Sequence, residues 1–188
     1  MLEDLRTACR RDPALYGTRL PEVFLYQGVW ALWAHRLAHR LHRWRMPFVP
    51  RAISQVVRVL SGIEIHPGAT IGRRLFIDHG AGVVIGETAV IGDDVTMYHQ
   101  VTLGGRGWPR DPKRSHRHPS VGDRVVLGVG ATVLGPVHIG HDAHIGAHAL
   151  VLGDVPAGAR VEAPRSTVIP LPTHEEVAAW PHTRVSLP

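Results

Sequence analysis

The sequence predicts a mainly β fold, a left-handed parallel β-helix built from hexapeptide repeats and preceded by an N-terminal α-helical region. Three observations carry this reading. Beyond Gly62 an aliphatic residue recurs every six positions, at Ile65, Ile71 and Ile77, then Ile85, Ile91, Met97 and Leu103, then Val121, Leu127, Val133, Ile139, Ile145 and Val151. Glycine often follows it, as at Gly72, Gly86, Gly92, Gly104, Gly122, Gly128, Gly140 and Gly146. Four positions after it stands a small or aliphatic side chain: Ala69, Ala81, Ala89, Val95, Val101, Ala131, Val137, Ala143 or Ala149.

Each hexapeptide reads as one short strand and a turn. The aliphatic residue fills the interior of a triangular prism, the small one packs beside the corner, and glycine permits the turn. Three sides make one coil, and stacked coils bury a continuous core. A sandwich of alternating strands would show a period of two instead. The expected organisation is a helical region over residues 1–60, a β-helix over 61–160 with an extruded loop near 105–119, and a tail over 161–188.

In the helical region Trp30, Trp33, Leu37, Leu41 and Trp44 step by three and four, forming one apolar stripe suited to packing on a neighbouring subunit. His35, Arg36, His39, Arg40, His42 and Arg43 fall mainly on the other faces and read as a solvated basic surface. Pro47 and Pro50 punctuate the chain before a shorter helix from about Ala52 to Leu60.

The 188 residues carry a formal charge of +5 and a pI near 10.3, which suits an acidic or phosphorylated partner. Nucleic acid fits poorly, since no recognition motif and no interleaving of aromatics with bases accompanies the charge. The single cysteine, Cys9, excludes an internal disulfide and suits a reducing compartment. No run approaches the ~20 apolar residues of a membrane span, and the N-terminus carries acids where a signal peptide has bases, so a soluble cytoplasmic protein with no membrane partner is expected.

The repeat breaks twice. The step from Ile77 to Ile85 inserts two residues within Asp78-His79-Gly80-Ala81-Gly82, and the polar stretch from Gly104 to Ser120 must leave the coil as a loop. Allowing for the insertion, His79 and His99 fall in one outward column on adjacent coils. Two imidazoles with a third ligand suggest a zinc hydratase as the rival class, but His138, His141 and His144 point around the coil in different directions and complete no site.

The segments Glu64-Ile-His-Pro-Gly-Ala-Thr-Ile-Gly, Ile77-Asp-His-Gly-Ala-Gly-Val-Val-Ile-Gly-Glu-Thr, Val101-Thr-Leu-Gly-Gly and Arg117-His-Pro, in this order, resemble the serine O-acetyltransferase family, as does Asp12-Pro13. The resemblance implies acetyl transfer from acetyl-CoA, a co-substrate and not a resident cofactor, to the hydroxyl of L-serine, giving O-acetylserine for cysteine synthesis. A hydroxyl attacks a thioester poorly unless a base removes its proton, and imidazole suits that task near neutral pH. His79 matches the family's general base and Glu64 the carboxylate that would orient it, with Glu where many members have Asp. Asp12 and Asp78 match residues that hold the amino acid, and Arg117 and His118 match those that engage its carboxylate, for which an Arg fork is well shaped.

Arg106, Arg110, Lys113 and Arg114 in the loop are expected to attract the phosphates of CoA, while Gly104 and Gly105 let the backbone approach its pantetheine arm. Ala131 and Ala147 match positions along the same groove. Val129, His144 and Arg160-Val-Glu-Ala-Pro-Arg depart from the family's usual residues on this side. The resemblance also implies a homotrimer with active sites between neighbouring chains, a pairing of two trimers being left open. O-acetylserine sulfhydrylase, the cysteine synthase, is the protein partner it suggests. Homoserine or another small alcohol is the alternative acceptor.

Overall fold

The computed structural model describes residues 2–12, 25–107 and 115–167. Among the described residues three helices lead in: α1 (Leu2–Arg11), α2 (Gln27–Arg43) and α3 (Val49–Ser61). Among the described residues fourteen short strands follow: β1 (Glu64–Ile65), β2 (Thr70–Ile71), β3 (Phe76–Ile77), β4 (Val84–Ile85), β5 (Val90–Ile91), β6 (Thr96–Met97), β7 (Thr102–Gly104), β8 (Ser120–Val121), β9 (Val126–Leu127), β10 (Thr132–Leu134), β11 (His138–Ile139), β12 (His144–Ile145), β13 (Leu150–Val151) and β14 (Arg160–Val161). They form three parallel sheets, β1-β4-β7-β10-β13, β2-β5-β8-β11 and β3-β6-β9-β12-β14. These are the sides of the left-handed β-helix.

Register records every interruption. The first coil pairs with the second across a step of 20 residues, as Glu64 with Val84 and Phe76 with Thr96. Val84 pairs with Thr102 at the regular 18, and Thr102 with Thr132 at 30 because the extruded loop intervenes. The last coil loses two residues, His144 meeting Arg160 and Ile139 meeting Val155.

Within almost every strand the second residue faces inward. Ile77, Ile85, Met97, Leu103, Leu127, Ile139 and Ile145 are all buried in one core with Ala69, Ala89, Val95, Val101, Ala131, Ala143 and Ala149. Burying each large aliphatic side chain contributes about 1.5–3 kcal/mol. Ala81 departs from the expected pattern and is exposed, with Val83 taking the inward place, because the two inserted residues shift the phase.

The helical region corrects one sequence reading, that of His35. The buried residues of α2 are Gly28, Val29, Ala31, Leu32, His35 and Ala38, so small side chains mediate close packing while Trp30, Leu37 and Trp44 remain exposed. His35 does not join a solvated basic face: it is 6% exposed and hydrogen-bonds the Ala69 backbone carbonyl. Pro50 lies in the first turn of α3, where its missing N–H costs nothing.

Opposite the first sheet, the prism edge carries a charge ladder. Arg74, Asp94, Arg124 and Asp142 occupy successive coils with φ of 57–59°. Arg74 meets Asp94 at 2.7 Å and Arg124 meets Asp142 at 2.7 Å, while Glu3 of α1 caps the ladder through Arg73 and Arg74. These arginines hold the carboxyls of Glu3, Asp94 and Asp142 below their ordinary range through their hydrogen bonds.

Two pH windows follow. Burial first, then His39 and Arg36, push His35 down to about 3, so below pH ~6.5 the unfolded chain takes up the proton that the folded chain refuses. By pH 4.5 that costs about 2–3 kcal/mol. The depressed carboxyls contribute stability above about pH 4 and lose it as pH falls further. Thermal melts are expected to show a decline beginning near pH 6.5 that steepens below pH ~4. His35→Phe should make the first decline shallower, leaving what the similarly depressed His66 contributes, and should leave the second unchanged.

Candidate active site

The two-residue insertion at the edge between the third and first sheets builds the site. Asp78 still bonds to the second coil through its N–H to the Met97 carbonyl, 2.8 Å, but His79 and Gly80 then turn outward, with φ of 59° and 73°. Gly80 donates to the Asp78 carbonyl two residues back, at 2.7 Å. A Cβ on Gly80 would lie 2.4 Å from Cδ1 and 2.8 Å from Cγ1 of the buried Ile63, so only glycine fits. The bulge leaves the His79 side chain 74% exposed, with Nε2 3.9 Å from Asp78 Oδ1. Its ring meets His99 edge-on at 5.8 Å, so the expected column of histidines is present. Gly80→Ala is expected to displace His79 and lower turnover about tenfold or more, read beside a thermal melt that separates this loss from unfolding.

A pocket of about 290 Å³ opens against this bulge, lined by Asp12, Leu25, Tyr26, Gln27, Gly28, Asp78 and His79. Asp12, just beyond α1, is placed by its neighbour Arg11, which donates to Thr96 Oγ1 at 2.6 Å and to the Asp94 carbonyl at 3.0 Å. An ion pair between the buried Asp4 and the partly exposed Arg36, at 2.7 Å, fastens α1 to α2. The start of α2 abuts β3 so closely that a Cβ on Gly28 would stand 2.6 Å from the Ile77 carbonyl. Tyr26, which carries no sequence motif, donates its hydroxyl to Asp78 Oδ1 at 2.9 Å.

Arg117 and His118 lie on a different edge, between the first and second sheets, with Glu87 and His66. Arg117 forms an ion pair with Glu87. Burial works against the Glu87 charge, yet the Arg117 hydrogen bond and the charges of His66, Arg117 and His118 hold its carboxyl below the usual range. Burial and Arg51 push His66 down. The His118 ring is 8% exposed and lies on Gly86, where a Cβ would come within 2.0 Å of it. Thr88 fixes its loop: Oγ1 accepts the N–H groups of Arg117 and His118 at 3.0 and 3.1 Å and meets His118 Nδ1 at 2.8 Å. Glu87 and Thr88 stood inside a motif segment but carried no assignment, because only the turn shows which residues they face.

The structure therefore brings Asp12, Asp78 and His79 together and keeps Arg117 and His118 apart from them. The first sheet, a side of roughly 15–20 Å, separates the two edges. The expected Glu64–His79 pairing is not formed within the chain. Glu64 points off the first sheet toward α3, where Arg51 and Arg58 each reach its carboxylate at 3.3 Å, and the nearest carboxylate to His79 is Asp78.

On the cofactor side, Gly104 and Gly105 are partly exposed at the mouth of the loop. Arg106 folds back, its Nε donating to the Leu134 carbonyl at 3.3 Å and Nη2 to that of Leu152. Ala147 is exposed on the His79 edge, whereas Ala131 is 0% exposed and turns its side chain to the prism interior, which leaves its backbone to meet a ligand. Arg110, Lys113, Arg114 and the tail from Thr173 lie outside the described residues, as does Pro13. A larger cleft of about 500 Å³ between α2 and Thr70-Ile71 contains none of the predicted site residues. Among the described residues no cluster of three or more His, Cys, Asp or Glu has metal-binding geometry, and no helix is long and apolar enough to cross a membrane.

Residues 118–153 match the family model described as bacterial transferase hexapeptide (six repeats). The chain is 54% identical over 161 residues to the serine acetyltransferase of Mycobacterium tuberculosis, covering 86% of this chain and 68% of that one. It is 54% identical over 154 residues to that of Helicobacter pylori, covering 82% and 87%. Among solved structures, serine acetyltransferase of Brucella abortus in complex with coenzyme A shares 34% identity at a TM-score of 0.80 over 89% of this chain. The Neisseria gonorrhoeae enzyme in complex with serine shares 35% at 0.78 over 88%. This chain spans 65% and 66% of those two chains. On this similarity in sequence and in fold, the chain belongs to the serine acetyltransferase family.

Proposed function

We propose that the chain transfers the acetyl group of acetyl-CoA to the hydroxyl of L-serine, with His79 as general base. One observation carries the assignment: an exposed imidazole stands on an inserted bulge beside the carboxylates of Asp78 and Asp12, in a pocket of about 290 Å³. Two carboxylates suit an ammonium, and an imidazole at their side reaches a hydroxyl on the same small molecule. As the serine oxygen forms its bond to the acetyl carbon, His79 takes the hydroxyl proton. The tetrahedral intermediate collapses with cleavage of the C–S bond, and the proton passes from imidazolium to the departing CoA sulfur. Asp78, in place of Glu64, is the carboxylate that steadies the imidazolium within one chain.

Arg117 and His118 complete the site from a neighbouring copy in a homotrimer, holding the serine carboxylate. Three prisms packed by their first sheets would set the His79 edge of each chain against the Arg117 edge of the next. The exposed Val84 and Leu150 on that sheet, with Val56, Val59 and Leu60 on α3, supply apolar area for such packing. The pantetheine arm would run past Ala147 on one chain and Gly104-Gly105 on the other, with Arg106 and the loop cations drawing in the phosphates. The relative bound to coenzyme A supports this donor. A cytoplasmic setting fits the lone Cys9.

Thiol release from acetyl-CoA tests the reading directly, with L-serine, L-homoserine and a simple alcohol as acceptors. Turnover with serine well above the others is expected. A folded protein that releases CoA with none of them contradicts the assignment.

A further inference from the structure

The cleft of about 500 Å³ beside α2 takes no part in the acetyl-transfer site, and it opens at the start of the second sheet instead of the first. Its walls are the second half of α2 and Thr70-Ile71 of β2. Arg36, Arg40 and Arg43 stand four and three residues apart, so one face of the helix turns all three toward the cleft. Two imidazoles fix this face against the prism. His35 hydrogen-bonds the Ala69 carbonyl, and His39 Nδ1 lies 2.9 Å from the Pro67 carbonyl, a contact that requires the hydrogen on the nitrogen. The basic wall is therefore held in place before any ligand arrives.

Elsewhere along the β-helix arginines meet carboxylates, Arg74 with Asp94, Arg124 with Asp142 and Arg117 with Glu87. In the cleft Arg36 reaches Asp4, but among the described residues the side chains of Arg40 and Arg43 make no ion pair or hydrogen bond. A helix C-terminus attracts cations, yet its partial charge is only about half a unit. Its last carbonyls are also engaged already: those of Arg40, Leu41 and His42 accept the N–H groups of Trp44, Met46 and Arg45 at 3.2, 3.2 and 2.9 Å. Capping α2 thus leaves two guanidinium charges unneutralised. Trp44, 67% exposed, adds a flat apolar platform beside them, and Ile71 an apolar patch on the β2 wall. We propose that this cleft binds a nucleoside diphosphate or triphosphate, its phosphates on Arg40 and Arg43 and its base stacked on Trp44. Guanidinium forks match phosphate oxygens, and side chains one turn apart, with Cβ atoms about 5–6 Å from each other, serve successive phosphates. Any nucleobase has a face to lay on an indole. The volume suits a ligand of this size. An inorganic anion would use the arginines and leave Trp44 and Ile71 idle.

Calorimetric titration of the full chain with ADP tests this, run with and without saturating CoA, because CoA carries an adenosine diphosphate unit of its own and would fill the acetyl-donor site. One ADP per chain is expected to bind in the presence of CoA. Arg40→Gln and Arg43→Gln keep a good helix former in place, and each should weaken both ADP and inorganic pyrophosphate about tenfold or more. Trp44→Ala should weaken ADP about fivefold or more and leave pyrophosphate within about twofold of the parent. Acetyl transfer to serine and the melting temperature should stay near the parent values in all three variants. Absence of ADP binding at millimolar concentration overturns the proposal, as does equal ADP affinity in both arginine variants. ADP bound only without CoA belongs to the donor site and overturns it too. Pyrophosphate bound as tightly as ADP, with Trp44→Ala without effect, reduces the cleft to an anion patch and contradicts a nucleotide site. An oligonucleotide that displaces ADP at far lower concentration does the same, in favour of a nucleic-acid surface.

Discussion

Replacing His79 with alanine is expected to slow CoA release about 1,000-fold, within the range a positioned general base contributes. The melting temperature should hardly change. The side chain is 74% exposed and its contacts are an edge-on ring and a carboxylate at 3.9 Å, so folding loses little when it goes. A serine hydroxyl left to water must ionise or transfer its proton to solvent during attack, and neither route is fast. The KM for serine should stay within a few-fold, because in the proposed site Asp12, Asp78 and the partner edge would still bind the amino acid. Stopped-flow or thiol-coupled kinetics, with a melt on the same preparation, separates loss of chemistry from loss of fold.

Arg117→Ala is expected to act the other way, raising the KM for serine about 100-fold with a smaller effect on turnover. The guanidinium would both engage the acceptor carboxylate and neutralise Glu87. Without it, the partly buried Glu87 anion faces the incoming carboxylate, so attraction turns to repulsion. Glu87 then titrates higher, and the KM should partly recover as pH falls. Arg117→Lys should restore only part of the loss, because a point charge cannot serve Glu87 and the substrate as a planar fork does. The KM for acetyl-CoA, measured on the same variants, is expected to stay near the parent value.

Much of this was legible in the residues because the β-helix repeats itself. Six-residue periodicity placed Ile77, Met97 and Leu127 in one core, and the one step of eight located the bulge that carries His79. What periodicity describes poorly is contact between segments far apart in sequence. Glu64 read as a partner of His79 by position, yet its side chain leaves the sheet toward Arg51 and Arg58 of a helix that the repeat says nothing about. His35 read as solvated because its neighbours are basic, whereas small residues on α2 let the helix approach until the imidazole was buried. Tyr26 gave no signal: its hydrogen bond to Asp78 depends on Gly28 allowing α2 against β3. Ala131 and Ala147 looked alike in a groove motif, but one falls on the inward phase of the coil and the other on the outward phase.

In the proposed trimer, one active site is built from the His79 edge of one chain and the Arg117 edge of another. Mixing two inactive variants tests it most directly. His79→Ala and Arg117→Ala chains, each nearly silent alone under low serine, are co-refolded in equal amounts and assayed for CoA release. Random cyclic assembly joins an intact edge of each kind at one interface in four, so the mixture should regain about a quarter of the parental rate. A mixture no more active than the two variants assayed separately, in assemblies shown to have exchanged chains, would contradict a shared site and return both edges to a single chain.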